Sequence, residues 1–149
     1  MNPPVGESHL ATLLATMQPE LQPTVFVFCT ISPEVSIPQG LSYVCQFHER
    51  EGTTLILSQV EADRAHLPYH YQCRQITLKV HSSLAAVGLL ATVTQALAAE
   101  GISGNVVSAY FHDHLFVPSD RATDAIACLE QVALQAASGK QILDTAKET

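Results

Sequence analysis

The sequence predicts an α+β fold in which antiparallel sheets carry helices packed on one face. Three observations lead there. Several segments alternate apolar and polar residues with a period of two, others repeat apolar residues with the helical period, and short Pro- or Gly-marked breaks separate them in the order α, β, β, β, α, β, α, β, β, α. At 149 residues with 47% hydrophobic and 14% charged side chains, the chain can bury an interior as one domain or as two small units sharing a core.

Ser8 to Thr16 predicts a short helix, stopped by Pro19 and Pro23. In Thr24 to Ile31, Val25, Val27 and Cys29 alternate with Phe26, Phe28 and Thr30, so both faces are apolar, as in a central strand. A loop with Pro33, Pro38 and Gly40 leads to a strand over Tyr43 to His48. Glu49 to Gly52 then turn the chain into a strand over Thr53 to Leu57. Ser58-Gln59-Val60-Glu61 is a capping-box sequence that starts a helix ending before Pro68, and Gln72 to Val80 is the next strand. Leu84, Val87, Leu90, Ala91, Thr94, Leu97 and Ala98 form an apolar stripe, with Ser82 or Ser83 as N-cap. Gly101 stops that helix in a left-handed conformation, with Ile102 folding back on Leu97. Val107, Ala109 and Phe111 alternate with Val106, Ser108 and Tyr110, and His112-Asp113-His114 is read as the polar turn before Leu115, Phe116 and Val117. Ser119 caps a last helix carrying Ala122, Ala125, Ile126, Leu129, Val132 and Ala136, ending near Gly139, with a polar tail that frays after Lys140.

Val87-Gly88-Leu89-Leu90-Ala91-Thr92-Val93 with Leu97-Ala98, followed by Glu100-Gly101-Ile102-Ser103 and Asn105-Val106-Val107, resembles the helix, glycine and strand of an ACT domain. The words HSSL, AVGL, GIS, NV and HDH followed by FVP are similar to a small stand-alone bacterial ACT family of unsettled function. The recurring order of strands and helices predicts two incomplete ferredoxin-like units, residues 1–70 and 71–149, of which the second carries the matching words and the first is similar only in its order of elements. Neither unit shows a whole βαββαβ set, so strands or helices must be shared or come from a partner. The resemblance implies a non-catalytic regulatory or sensor protein without a cofactor, a homodimer or higher homo-oligomer whose ligand is a small amino acid or related carboxylate. ACT domains often carry an acid three positions before the glycine and a proline just before it. Ala85 and Val87 stand there, so that position supplies no partner for a ligand amino group.

The expected ligand site comprises His81, Ser82, Ser83, Leu84, Val87, Gly88, Asn105 and Val106. A helix N-terminus offers free N–H groups and partial positive charge to a carboxylate or phosphate, the serines add hydroxyls, and Asn105 can meet an amide or ammonium group. Gly88, placed inside the helix, costs about 1 kcal/mol against alanine, which points to a close approach of backbone or ligand. The alternative reading is that the serines serve only as caps and Gly88 only for tight packing. His112 and His114 share a face and could bind a metal, but a catalytic zinc needs a third ligand that no spacing provides. A metal-dependent enzyme using this pair, or a purely structural interaction module, is therefore the alternative. No G-x-S-x-G elbow or phosphate loop is present.

A formal net charge of −7 with no Lys/Arg cluster argues against nucleic acid and anionic membranes as partners. The N-terminal residues lack a charged and apolar leader pattern, and the expected location is cytoplasmic. Cys29, Cys45, Cys73 and Cys128 lie far apart without a CxxC pair, which predicts reduced, structural thiols.

Overall fold

A computed structural model describes residues 1–147, with side chains to Gly139. Its elements are α1 (Leu10–Thr16), β1 (Pro19–Ile31), β2 (Cys45–His48), β3 (Thr53–Ser58), α2 (Gln59–Arg64), β4 (Gln72–Leu78), α3 (Leu89–Ala99), β5 (Asn105–Ser108), β6 (Asp113–Pro118) and α4 (Ala122–Lys147). All six strands form one antiparallel sheet in the order β2-β3-β1-β4-β6-β5.

That order explains how two incomplete units close. Read from β4 to β2, the strands follow the fourth-first-third-second order of a ferredoxin-like unit, with α2 before the fourth. Read from β4 to β5, the first-third-second order repeats, and β1 occupies the place of the missing fourth strand. Thus β1 and β4 serve both units. The loop 32–44 stands where the first unit would carry its first helix.

β1 begins at Pro19, so Pro19 and Pro23 lie inside a 13-residue strand rather than in the expected break. Pro19 is the first residue of the strand, where a missing N–H is tolerated, and a register shift between Leu21 and Val25 accommodates Pro23, because an irregular ladder does not require every N–H. Arg74 Nε donates to the Gln22 carbonyl at 2.9 Å within that irregularity.

Helices α1, α3 and α4 bury Leu13, Val93, Leu97 and Leu129 against Ile76, Leu78, Leu115 and Val117 of the sheet. Ala62 of α2 covers Val27, Leu55 and Leu57. With a period of two, Phe26, Ile56, Cys73 and Phe116 face the other way and form a third cluster that includes no helix residue among the described residues. Phe116 holds it together, edge-on to Phe26 and Phe28 with centroids 5.7 Å from each.

Local signals were met unevenly. Ser58 Oγ accepts from Glu61 N–H at 3.2 Å, but the Glu61 carboxylate takes Ser42 N–H and Arg64 instead of closing a capping box. Those partners hold Glu61 below the usual carboxylate range, the Arg64 hydrogen bond most of all. Gly101 ends α3 at φ 67°, with Ile102 N–H on the Leu97 carbonyl at 2.9 Å and Gly101 N–H on Ala98 at 3.0 Å, as a Schellman closure requires.

Three expectations are corrected. α3 starts at Leu89, after a left-handed Gly88 at φ 104°, so its buried stripe is Leu89, Val93 and Leu97, while Leu84 and Val87 are exposed. Ser119 opens a 3-10 turn without capping, and its Oγ is buried with no partner among the described residues. α4 runs through Gly139 to Lys147, and the frayed tail expected after Lys140 is helical to that point; the remaining two residues lie outside the described ones.

Candidate functional site

The loop between β4 and α3 is tied down by the N-terminal segment. Glu7 N–H donates to the His81 carbonyl at 2.9 Å and Ser83 N–H to the Glu7 carbonyl at 2.7 Å, a short parallel bridge against Ser82. Neither serine caps the helix. Ser82 Oγ–H donates to Asp113 Oδ2 at 2.8 Å, and Ser83 Oγ accepts from Ala85 N–H at 3.2 Å, closing a turn two residues on. Their oxygens are committed before the helix begins, and the N-cap falls to Gly88, which has no side chain to offer. A Cβ at Gly88 would stand 3.0 Å from Leu10 Cδ2, so glycine serves both the backbone angle and the packing of α1.

The N–H groups of Leu89, Leu90 and Ala91 therefore open α3 without a side-chain cap. These three residues line a cavity of about 140 Å³ together with Ser82, Ser83, Leu84, Ala86, Gly88, Ser108 and Asp113. That is room for on the order of ten water molecules, or one small ligand. One side of it carries helix N–H donors with partial positive charge and the other the carboxyl of Asp113, only 6% exposed. No acid stands at Ala85 in the loop, and the structure supplies one from β6.

Of the expected site residues, Ser82, Ser83, Leu84 and Gly88 meet at this cavity, and Val87 is an exposed loop residue. His81 packs on Phe111 and Tyr110, with centroids 5.0 and 6.2 Å away, and its Nε2 is buried without a partner among the described residues. Asn105 and Val106 do not line the cavity. They pair with Phe116 and Leu115, at the end of β5 remote from Ser108, the partner of Asp113. Ser108 and Asp113 were missed because His112-Asp113-His114 was read as a turn. The turn is Ala109 to His112, closed by Ala109 N–H on the His112 carbonyl at 3.0 Å, and Asp113 is already in the strand. Counting back by two from the buried Val117 and Leu115 would have placed Asp113 on the helix side.

His112 and His114 stand on the opposite face with centroids 6.4 Å apart. Among the described residues, no three His, Cys, Asp or Glu side chains converge on a metal-binding position. His114 Nδ1 lies 3.0 Å from both Gln75 Nε2 and Thr77 Oγ1. Burial, then the neighbouring His112, push its pKa below the usual imidazole value, against the smaller pull of Asp113. A depressed folded pKa means the unfolded chain binds the extra proton, so this stability is present above about pH 6.5 and lost as pH falls through the folded value. Urea midpoints at decreasing pH should decline over that window, and His114→Gln should flatten the decline.

All four cysteines are free; Cys29 and Cys73 are buried, whereas Cys45 and Cys128 are partly exposed. Burial pushes the Cys73 thiol up to about 12, and its Sγ lies 3.3 Å from the Phe26 carbonyl as a donor. No helix among the described residues is long and apolar enough to cross a membrane.

Two ACT-domain models match the chain, over residues 5–74 and 70–131. A Vibrio cholerae protein of unknown function, described as a possible transport protein, has a crystal structure that is 41% identical, with TM-score 0.75, over 83% of this chain and 95% of that one. The chain belongs to the ACT-domain family. ACT domains are ligand-binding regulatory modules, and the mixed α+β sheet described above is that of two of them. An Agrobacterium tumefaciens protein, 18% identical with TM-score 0.60 over 77% of this chain and 87% of its own, shares the fold. So does the regulatory subunit of aspartate kinase from Thermus flavus, 12% identical with TM-score 0.59 over 79% and 98%. No curated protein matches the sequence.

Proposed function

We propose that this ACT protein is a non-catalytic sensor that binds a small α-amino acid, or a related carboxylate, between the Ser82–Gly88 loop, the first turn of α3 and Asp113. The observation that carries the reading is the pairing of opposite polarities across one small cavity: uncapped helix N–H groups for a carboxylate and the Asp113 carboxyl for an ammonium. A zwitterion satisfies both, whereas a simple anion meets Asp113 as a like charge. Each chain carries one such site. The first unit, residues 1–70, has the loop 32–44 in place of the helix that would present the equivalent N–H groups, and the second, 71–149, retains it.

Leu84 and Val87 are 67% and 83% exposed in the site loop, and Tyr110 and Phe111 are exposed around His81 nearby. This apolar surface suits contact with a second copy of the chain, and the proposed unit is a homo-oligomer. The aspartate kinase regulatory subunits with the same fold are consistent with a role in controlling a metabolic enzyme.

A melting screen against the proteinogenic amino acids tests the reading, since a ligand preferring the folded state raises stability by RT ln(1 + [L]/Kd). At least one small amino acid should raise Tm, and the rise should grow with the logarithm of its concentration once that exceeds Kd. Ala91→Phe, a helix-compatible change at an exposed lining position, should abolish the rise without lowering the ligand-free Tm. Gly88→Leu is a poorer probe, because φ 104° strains any side chain. A screen of the amino acids and of the carboxylates that share their carbon skeletons, without a shift, would refute the sensor.

A further inference from the structure

The sheet face turned away from the helices holds a second cavity, of about 240 Å³. Cys45 of the edge strand β2 and the preceding Val44 line it on one side, and Val107 of the edge strand β5 and the following Ala109 on the other, with Gln75, His114 and Phe116 between them. β2 and β5 are the two ends of the six-stranded order, so the sheet curls far enough for both edges to border one opening. That curvature buries Phe116 and Cys73 although no helix lies over them.

We infer that this concave face is a binding site for an uncharged, ring-sized apolar molecule bearing one hydrogen-bond acceptor, distinct from the amino-acid cavity on the helix side. The size follows from the volume, which takes on the order of ten to twenty waters but no folded segment of a partner. The lack of charge follows from the lining, where no Lys, Arg, Asp or Glu stands to pair with an ion. The acceptor follows from the histidine. With the Gln75 amide oriented so that Nε2 donates to Thr77 Oγ1 and to His114 Nδ1, both at 3.0 Å, the assignment that satisfies the network has Nδ1 accepting and the ring proton on Nε2. Protonating the ring would set an Nδ1–H against the Gln75 amide donor, which agrees with the lowered pKa. Nε2–H has no partner among the described residues, and the Gln75 amide N–H groups are engaged with Thr77 and His114, so the imidazole is the ring donor left to a lining that is otherwise Val, Ala, Phe and a thiol. A carbonyl or ether oxygen on a flat apolar body would satisfy it.

Acetophenone, ethylbenzene and benzoate, matched in size, separate these requirements when titrated into the isotope-labelled full chain and followed by amide NMR. Acetophenone should shift the amides of Cys45, Val107 and Phe116 saturably, about fivefold more tightly than ethylbenzene for one neutral hydrogen bond, with benzoate weaker than the ketone. His114→Phe should bring ketone and hydrocarbon to parity. Ala109→Trp, in the exposed turn, should remove binding of both while the amide spectrum of the helix side stays unchanged. Benzoate outcompeting acetophenone, ketone shifts confined to residues 82–91, no saturable shift, or binding that survives Ala109→Trp would each overturn the second site.

Discussion

Phe116→Ala is expected to lower the free energy of unfolding by about 3–5 kcal/mol, the usual range for deleting a buried aromatic ring. Phe116 is 2% exposed and directly opposes Gln75 and Asn105 on its two neighbouring strands. Its edges meet Phe26 and Phe28, and no helix can slide in to fill the void, because all four pack elsewhere. Incomplete collapse puts the change at the upper end of the range. Against a total stability of about 5–15 kcal/mol for a domain of this size, the variant would be close to unfolding at ambient temperature. Phe47→Ala is the control: on the same face, but 66% exposed, it should move the urea midpoint by an amount worth no more than ~0.5 kcal/mol. A Phe116 variant costing as little as the Phe47 one would mean that this face is not a packed core.

The order of elements was legible because each boundary is written in local chemistry that tertiary structure left in place. Gly101 and Ile102 close α3 as their sequence demands, and Ser58 caps α2. The start of α3 was not legible. Apolar residues occupy both Leu84-Val87-Leu90 and Leu89-Val93-Leu97, so helical periodicity fits either phase, and only the left-handed Gly88 decides between them. What fixes that angle is remote in sequence: Leu10 packs where a Cβ would stand, and Glu7 holds the preceding loop. The strand β1 shows the same limit, since Pro19 and Pro23 are breakers locally, and Pro19 is tolerated as the first strand residue and Pro23 through the irregular register against β4. Within the site, Ser82, Ser83, Leu84 and Gly88 were found from local cues. Asp113 and Ser108 come from the other arm of the unit, and a polar triplet of His and Asp imitates a turn more closely than a strand beginning. The sharing of β1 and β4 was foreseeable as a need, but which strands are shared depends on pairing across more than forty residues of chain.

Asp113→Asn should separate the ammonium half of the proposed site from its carboxylate half. The substitution is nearly isosteric, and the asparagine carbonyl can still accept the Ser82 hydroxyl that now lies 2.8 Å from Oδ2, so the loop keeps its anchor and the ligand-free Tm should change little. The negative charge is lost. A charge-assisted hydrogen bond contributes about 1.5–3 kcal/mol, so affinity for the amino acid identified in the melting screen should fall roughly ten- to hundredfold. The same acid without its amino group removes the partner from the ligand side. It should bind the unaltered protein more weakly than the amino acid does, and Asp113→Asn should bind it no worse once the like charge is gone. Calorimetric titration of both ligands into both proteins completes the cycle and yields the coupling between amino group and carboxylate directly. Equal losses for the two ligands would show that Asp113 acts only by holding Ser82 and the loop, and the zwitterion reading would then lose its support.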